Sequence, residues 1–260
     1  MKLRVLYHGN CFDGSASAAL FARFFRERLA QGTAEVAYTP MHHKGEPQPI
    51  AGHLLDGDLN ACVDFRYSQH ARLDWWFDHH ASAFQLAGDE AHFRADTSGR
   101  KFYDPHAKSC TRFMAEALAA KFGWDIARFA ELIHWAEIID GALFPSAAMA
   151  VELREPALRL MTWVENNRER PLAERFIEDL VARPLAEIAA DALRDSQRLR
   201  GEGDAQAASV LARAYGANPE FAAFYRSLQA YRNVLVREGD VLVVQPDGEF
   251  YKYLHNPARH

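Results

Sequence analysis

Four short apolar runs, Leu3–Tyr7, Ala34–Thr39, Ala61–Phe65 and Leu73–Phe77, are separated by segments long enough to cross back over a sheet. Strands joined in this way lie parallel and need cover on both faces. The pattern therefore predicts an α/β fold built on a Rossmann-like parallel sheet with covering helices. The first crossover is direct: after a polar turn, Ser15–Leu29 is rich in Ala, Phe and Arg at helical spacing. Lys108–Phe122 and Ile126–Ile139 read as further helices. In the second, Phe129, Leu132, Ile133, Ala136 and Ile139 share one face, with Asp140 at the end.

Near Pro145 the texture becomes helical, charged and rich in Ala and Arg, punctuated by Pro156, Pro171 and Pro184. This places a boundary near 145, followed by a helical region over 146–195. A small α+β tail over 196–260 completes the chain. It comprises helices over Arg200–Ala214 and Pro219–Asn233, and strands Asp240–Gln245 and Glu249–Leu254 around a Pro-Asp-Gly turn. The 260 residues, 49% hydrophobic, can bury one large core or two small ones.

Charge excludes some partners. Lys+Arg number 30 against 35 Asp+Glu, so no global basic field marks a binder of long nucleic acid, and an anionic substrate must be held locally. The 3 cysteines are widely separated and no apolar leader precedes them, so a reducing cytoplasm is expected. No apolar run approaches the roughly 20 residues that cross a bilayer, so no membrane span is expected.

The chemistry sits at the strand ends. The first run leads into His8, the third into Asp64 and the fourth into Asp78-His79-His80. In an open parallel sheet these carboxyl ends border one crevice, so residues far apart in sequence should meet there. Asp13, ahead of the first helix, and Asp140 can join them. Imidazole and carboxylate without paired thiolates suit manganese, with magnesium, cobalt or iron as alternatives, better than structural zinc. Repulsion among Asp13, Asp64, Asp78 and Asp140 is a second reason to expect cations.

The segment from Tyr7 to Ala18, Tyr-His-Gly-Asn-Cys-Phe-Asp-Gly-Ser-Ala-Ser-Ala, resembles the first motif of DHH phosphoesterases. Cys62-Val-Asp64 resembles the second, Phe77-Asp-His-His-Ala81 the third, and Leu132-Ile-His-Trp-Ala-Glu-Ile-Ile-Asp140 the fourth, all in the family's order. Ser109-Cys-Thr-Arg112 is similar to a further segment found in several members. The resemblance implies two divalent metal ions, with Asp64 bridging, His8 and Asp13 on opposite sides of it, and His79 and Asp140 completing the second site. It implies Asp78 as the group orienting the His pair. His80 then faces the scissile phosphate, as phosphate contact or proton donor to the leaving oxygen. Where most relatives carry Asp in the first motif this chain has Cys11. That thiol either binds the first metal with altered preference, leaves the position to water, or marks a subfamily with a shifted substrate. Arg66, Lys108 and Arg112, close to the motifs, are candidate phosphate contacts. The other histidines, His42, His43, His53, His70, His92, His106 and His134, are read as solvated or hydrogen-bonded bystanders.

The family's usual second domain, with a Gly-Gly-Gly-His-type motif, has no counterpart in the second half of this sequence. Over roughly 190–260, Arg198–Ala208, Ala214–Phe221, Phe224–Tyr231 and Gln245–Tyr253 instead resemble the tail of HflC and HflK proteins of the stomatin and prohibitin group. The chain thus reads as a fusion, and the resemblance implies a homo-oligomer formed through the tail. The expected activity is hydrolysis of a phosphodiester or phosphoanhydride, with short oligonucleotides or cyclic and linear dinucleotides as substrate class. The alternatives are a non-catalytic assembly protein that binds metal or nucleotide, and an inorganic pyrophosphatase.

Overall fold

The computed structural model describes residues 1–30, 33–43, 49–167 and 169–234. Five parallel strands form one sheet: β1 (Lys2–His8), β2 (Glu35–Met41), β3 (Leu59–Val63), β4 (Trp75–Asp78) and β5 (Lys101–Tyr103), in the order β2-β1-β3-β4-β5. Side chains alternate across it as a strand's two-residue period requires. Leu3, Val5, Tyr7, Ala61, Val63, Trp75 and Phe77 enter one core, and Leu6, Cys62 and Trp76 enter a second on the opposite face.

The larger core is roofed by helices. Helix α1 (Phe12–Phe24) runs on through a π-helical turn, Phe25–Leu29. Around it lie α3 (Cys110–Phe122), α4 (Ala130–Asp140), α6 (Pro156–Asn166) and α7 (Arg170–Leu180), all in contact with α1. The opposite face departs from the expected helical cover. It is closed by loops and the short α2 (Asp89–Arg94), which pack Tyr67, Phe84, Phe93 and Tyr103 around the fully buried Trp76. Aromatic area there does the work of a helix face.

The texture change near 145 is not a break in packing. After the short α5 (Ala147–Glu152), helix α6 sends Ala157, Leu160 and Val164 into the larger core, and α7 sends Phe176, Ile177 and Leu180. Glu178 of α7 accepts both guanidinium bonds of Arg26 and the hydroxyl of Tyr38, tying α7 to α1 and β2. The first compact unit accordingly extends over Met1–Ala192, beyond the expected boundary, and the second begins at Leu193. Helix α8 (Leu185–Ala217) starts in the first unit and continues into the second. Helix α9 (Pro219–Val234) follows; Asn218 caps it by accepting the Phe221 amide, and Pro219 suits its first turn. Both tail helices thus agree with the sequence reading, whereas the two tail strands lie outside the described residues. No helix among the described residues is long and apolar enough to cross a membrane.

One glycine sets how closely α1 meets the sheet. A Cβ on Gly14 would lie 2.2 Å from the carbonyl oxygen of His8. Backbone cannot yield as a flexible side chain can, so Gly14→Ala must push α1 off the end of β1. Thermal unfolding of this variant is expected to show a loss of about 1–3 kcal/mol, a fall in Tm on the order of 5 °C.

Candidate metal centre

The strand order makes a crevice. From β1 the chain winds first to β2 on one side and then to β3 on the other, so the carboxyl ends of β1 and β3 flank a switch point. His8 is the last residue of β1, Asp64 follows β3, and Asp78 ends β4 with His79 and His80 after it. Asp13 stands in the first turn of α1, which begins at Phe12 rather than Ser15, and Asp140 is the last residue of α4. Asp64 has φ +55°, the left-handed region that a non-glycine residue enters at a cost of about 1–3 kcal/mol, held where its carboxylate reaches the crevice.

These groups converge in three overlapping sets of candidate metal ligands: His8, Cys11 and Asp64; Asp64, His79 and His80; and Asp13, His79 and Asp140. Within each, the donor atoms lie within 4.8 Å of one another. Nε2 of His79 is 3.2 Å from Asp140 Oδ2, 3.4 Å from Asp64 Oδ1 and 3.9 Å from Asp13 Oδ2. His8 Nδ1 is 3.5 Å from Asp64 Oδ2. None of His8 Nδ1, Asp64 Oδ1 and His79 Nε2 has a hydrogen-bond partner although all three atoms are buried. Nδ1 of His79 meets the Ala107 carbonyl at 3.0 Å, where only an N–H can bond; in the neutral ring Nε2 is then a lone pair aimed at three carboxylates. Either a proton or a cation has to stand between them, so the donor set fits divalent ions.

The ionisation of the cluster follows. Burial, then Asp64 and Asp140, push the Asp13 carboxyl well above the usual range. Burial would also raise Asp64, but His79 and His8 beside it outweigh that and hold it low. Burial opposes a charge on His79, yet Asp140, Asp64 and the Ala107 carbonyl push it up to about 11 from 6.5. That raised value stabilises the metal-free fold fully below about pH 6.5 and is lost as pH climbs through about 11. A metal must displace this proton, so Mn2+ affinity should rise up to tenfold per pH unit between pH 6.5 and 8.5, measured by isothermal titration. At 100 times its dissociation constant Mn2+ should stabilise the fold by about 2.7 kcal/mol, raising Tm by about 5–10 °C, and EDTA should reverse the rise.

The surrounding groups set these positions. Both oxygens of Asp13 accept backbone amides at the start of α3, from Cys110 at 2.7 Å and Thr111 at 3.1 Å, while Ser109 caps that helix by accepting from Arg112 N. The Ser109–Arg112 segment thus holds Asp13 in place. Asp78 Oδ1 accepts the amides of His79 and His80 and lies 2.7 Å from His80 Nδ1. It orients the His80 ring and raises its pKa, whereas the His79 ring is oriented by Ala107 instead. Asn10, at φ +55°, donates to the carbonyls of Val164 and Asn167 at the end of α6, anchoring the loop between His8 and Cys11. Burial, then Asp64 and Asp13, keep the Cys11 thiol well above its usual pKa.

Of the candidate phosphate contacts, Lys108 is exposed just before α3, its Cβ beside Gly141, the residue after Asp140. Arg66 lies over the Phe65 ring at 5.0 Å and reaches Gln85. Arg112 pairs with Glu137 at 2.7 Å and Glu116 at 3.3 Å, joining α3 to α4, so its charge already has two partners. His43, read as a bystander, belongs to the surroundings of the site: its ring centroid is 5.3 Å from that of His8 and 4.7 Å from that of Phe65. Its place after β2 was the available signal, since β2 neighbours β1.

No family model matches the chain. Over 69 residues, 26% of this chain and 21% of the other, it is 46% identical to "Modulator of FtsH protease HflC" of Escherichia coli K12. It is 34% identical to "Protein HflC" of Haemophilus influenzae over 84 residues, 32% of this chain and 28% of that one. With "Protein HflC" of Vibrio cholerae the identity is 40% over 72 residues, 28% and 22% of the two chains. The chain therefore spans about a fifth to a quarter of the length of these curated relatives. A match of this length fits the tail segment and leaves most of the chain uncovered.

Proposed function

We infer that the first unit is a two-metal phosphoesterase of the DHH type that hydrolyses a phosphodiester or phosphoanhydride bond, with short oligonucleotides or dinucleotides as substrates. The observation that carries this reading is Asp64, whose carboxylate belongs both to the set with His8 and Cys11 and to the set with His79 and His80. One carboxylate shared between neighbouring donor sets is the arrangement that holds two ions close together.

His8 and Asp64 would hold one ion, and Asp13, Asp64, His79 and Asp140 the other. Bound divalent ions supply charge neutralisation for the phosphoryl group and lower the pKa of a water, Mn2+ being favoured by this donor set, with Mg2+, Co2+ or Fe2+ able to substitute. The rest falls to the chain. His80, its Nδ1 tied to Asp78, keeps Nε2 free to donate a proton to the leaving oxygen. Lys108 and Arg66 are the cations best placed to hold the remainder of an anionic substrate.

The test is Mn2+-dependent release of p-nitrophenol from bis-p-nitrophenyl phosphate and of mononucleotides from a dinucleotide, with EDTA as control. Inactivity on both, with metal bound, would favour the non-catalytic assembly protein; activity on pyrophosphate alone would favour the pyrophosphatase. The HflC-like stretch supports self-association of the tail. Multi-angle light scattering is expected to show an oligomer that becomes a monomer on deletion after residue 195; a monomer before deletion refutes it.

A further inference from the structure

Resting on the two-metal reading, we propose that Cys11 Sγ is a ligand of the ion held by His8 and Asp64, which makes the two halves of the centre select different metals. His8 Nδ1, Cys11 Sγ and an Asp64 oxygen lie within 4.8 Å of one another, with Sγ 3.8 Å and Nδ1 3.5 Å from Asp64 Oδ2. A tetrahedral ion with bonds of about 2.1 Å to N and O and about 2.3 Å to S spaces its donors about 3.4 Å (N to O) and about 3.6 Å (S to O) apart. Both observed separations are close to these.

Three further observations aim the sulfur into the site. Cys11 is the N-cap of α1 in extended conformation, where Ser, Asp or Asn would bond the helix amides, yet its side chain makes no capping bond. Its carbonyl instead accepts the amide and hydroxyl of Ser15, fixing the backbone and leaving Sγ toward Asp64. Across from it, His8 Nδ1 and Asp64 Oδ1 are buried without partners, the Asp64 side chain being 1% exposed. The gap is thus lined by one nitrogen, one sulfur and one oxygen donor.

Coordination releases the thiol proton to solvent and leaves a thiolate–metal bond, with no change of oxidation state. An N,S,O set selects a softer ion such as Zn2+, Co2+ or Fe2+. The all-nitrogen-and-oxygen set of Asp13, Asp64, His79 and Asp140 suits Mn2+ or Mg2+.

The test loads the full chain with Co2+ alone. Two equivalents should bind, with an intense near-ultraviolet thiolate-to-cobalt charge-transfer band. Cys11→Ser should lose that band while the second half still binds Co2+. Cys11→Asp should bind two equivalents without the band, its preference for Zn2+ over Mn2+ in competition titrations lowered at least tenfold. Two bound equivalents without a band in the unaltered chain would overturn the assignment to Cys11 and leave the two-metal reading standing. A band that persists in Cys11→Ser, and so arises from Cys62 or Cys110, would overturn it equally. A folded chain that binds no Co2+ would overturn both.

Discussion

Asp64→Asn is expected to reduce Mn2+-dependent hydrolysis by more than about 100-fold, beyond the range that loss of a merely orienting group costs. The substitution keeps size and leaves one acceptor oxygen, but the new amide nitrogen donates where two imidazoles and a thiol also converge. Asp64 Oδ2 is the oxygen near His8 and Cys11, and Oδ1 the one near His79 and His80. An amide can serve one of these halves and must repel a cation from the other. Two measurements separate chemistry from folding: the variant should keep its far-ultraviolet circular dichroism yet lose the Mn2+-induced rise in Tm. Hydrolysis within tenfold of the unaltered chain would dispose of Asp64 as the shared ligand.

That Asp64, His8 and His79 would meet could be argued from sequence because each closes a short apolar run, and the ends of parallel strands share one rim. The same logic did not reach β5, whose three residues, Lys101–Tyr103, are too few to display a two-residue period. The first turn of α1 was also missed: Phe12, Asp13 and Gly14 read as a polar turn, and only the packing of Gly14 against His8 shows the helix already under way. The partners of Asp13 and His79 are main-chain amides and a carbonyl, which no residue type announces. The boundary near 145 followed prolines and charges, which report the exposed faces of α6 and α7. Their buried stripes were present in the sequence, at Ala157, Leu160 and Val164 and at Phe176, Ile177 and Leu180, with the spacing of a helix laid on a core.

Asp78→Asn should lower kcat by about 10–100-fold at alkaline pH, and by less toward acid, because it acts through the protonation of His80. The Asp78 carboxylate is fully buried, and its bond to His80 Nδ1 is the largest influence raising the pKa of that ring against the effect of burial. If the imidazolium of His80 supplies the proton to the leaving oxygen, activity falls as pH rises through its pKa. A higher pKa carries the active form to higher pH, and an amide in place of the carboxylate removes the charge that raises it. The alkaline limb of the kcat profile therefore moves to lower pH. The turn itself should survive, since an amide oxygen can still accept from the amides of His79 and His80. A loss of activity that is uniform across pH, with the limb unmoved, would reduce Asp78 to a support for the turn and take the proton-donor role away from His80. A shifted limb with Mn2+ affinity nearly unchanged would place the two residues in the chemistry itself, because the ring that Asp78 orients is distinct from that of His79, which the Ala107 carbonyl holds.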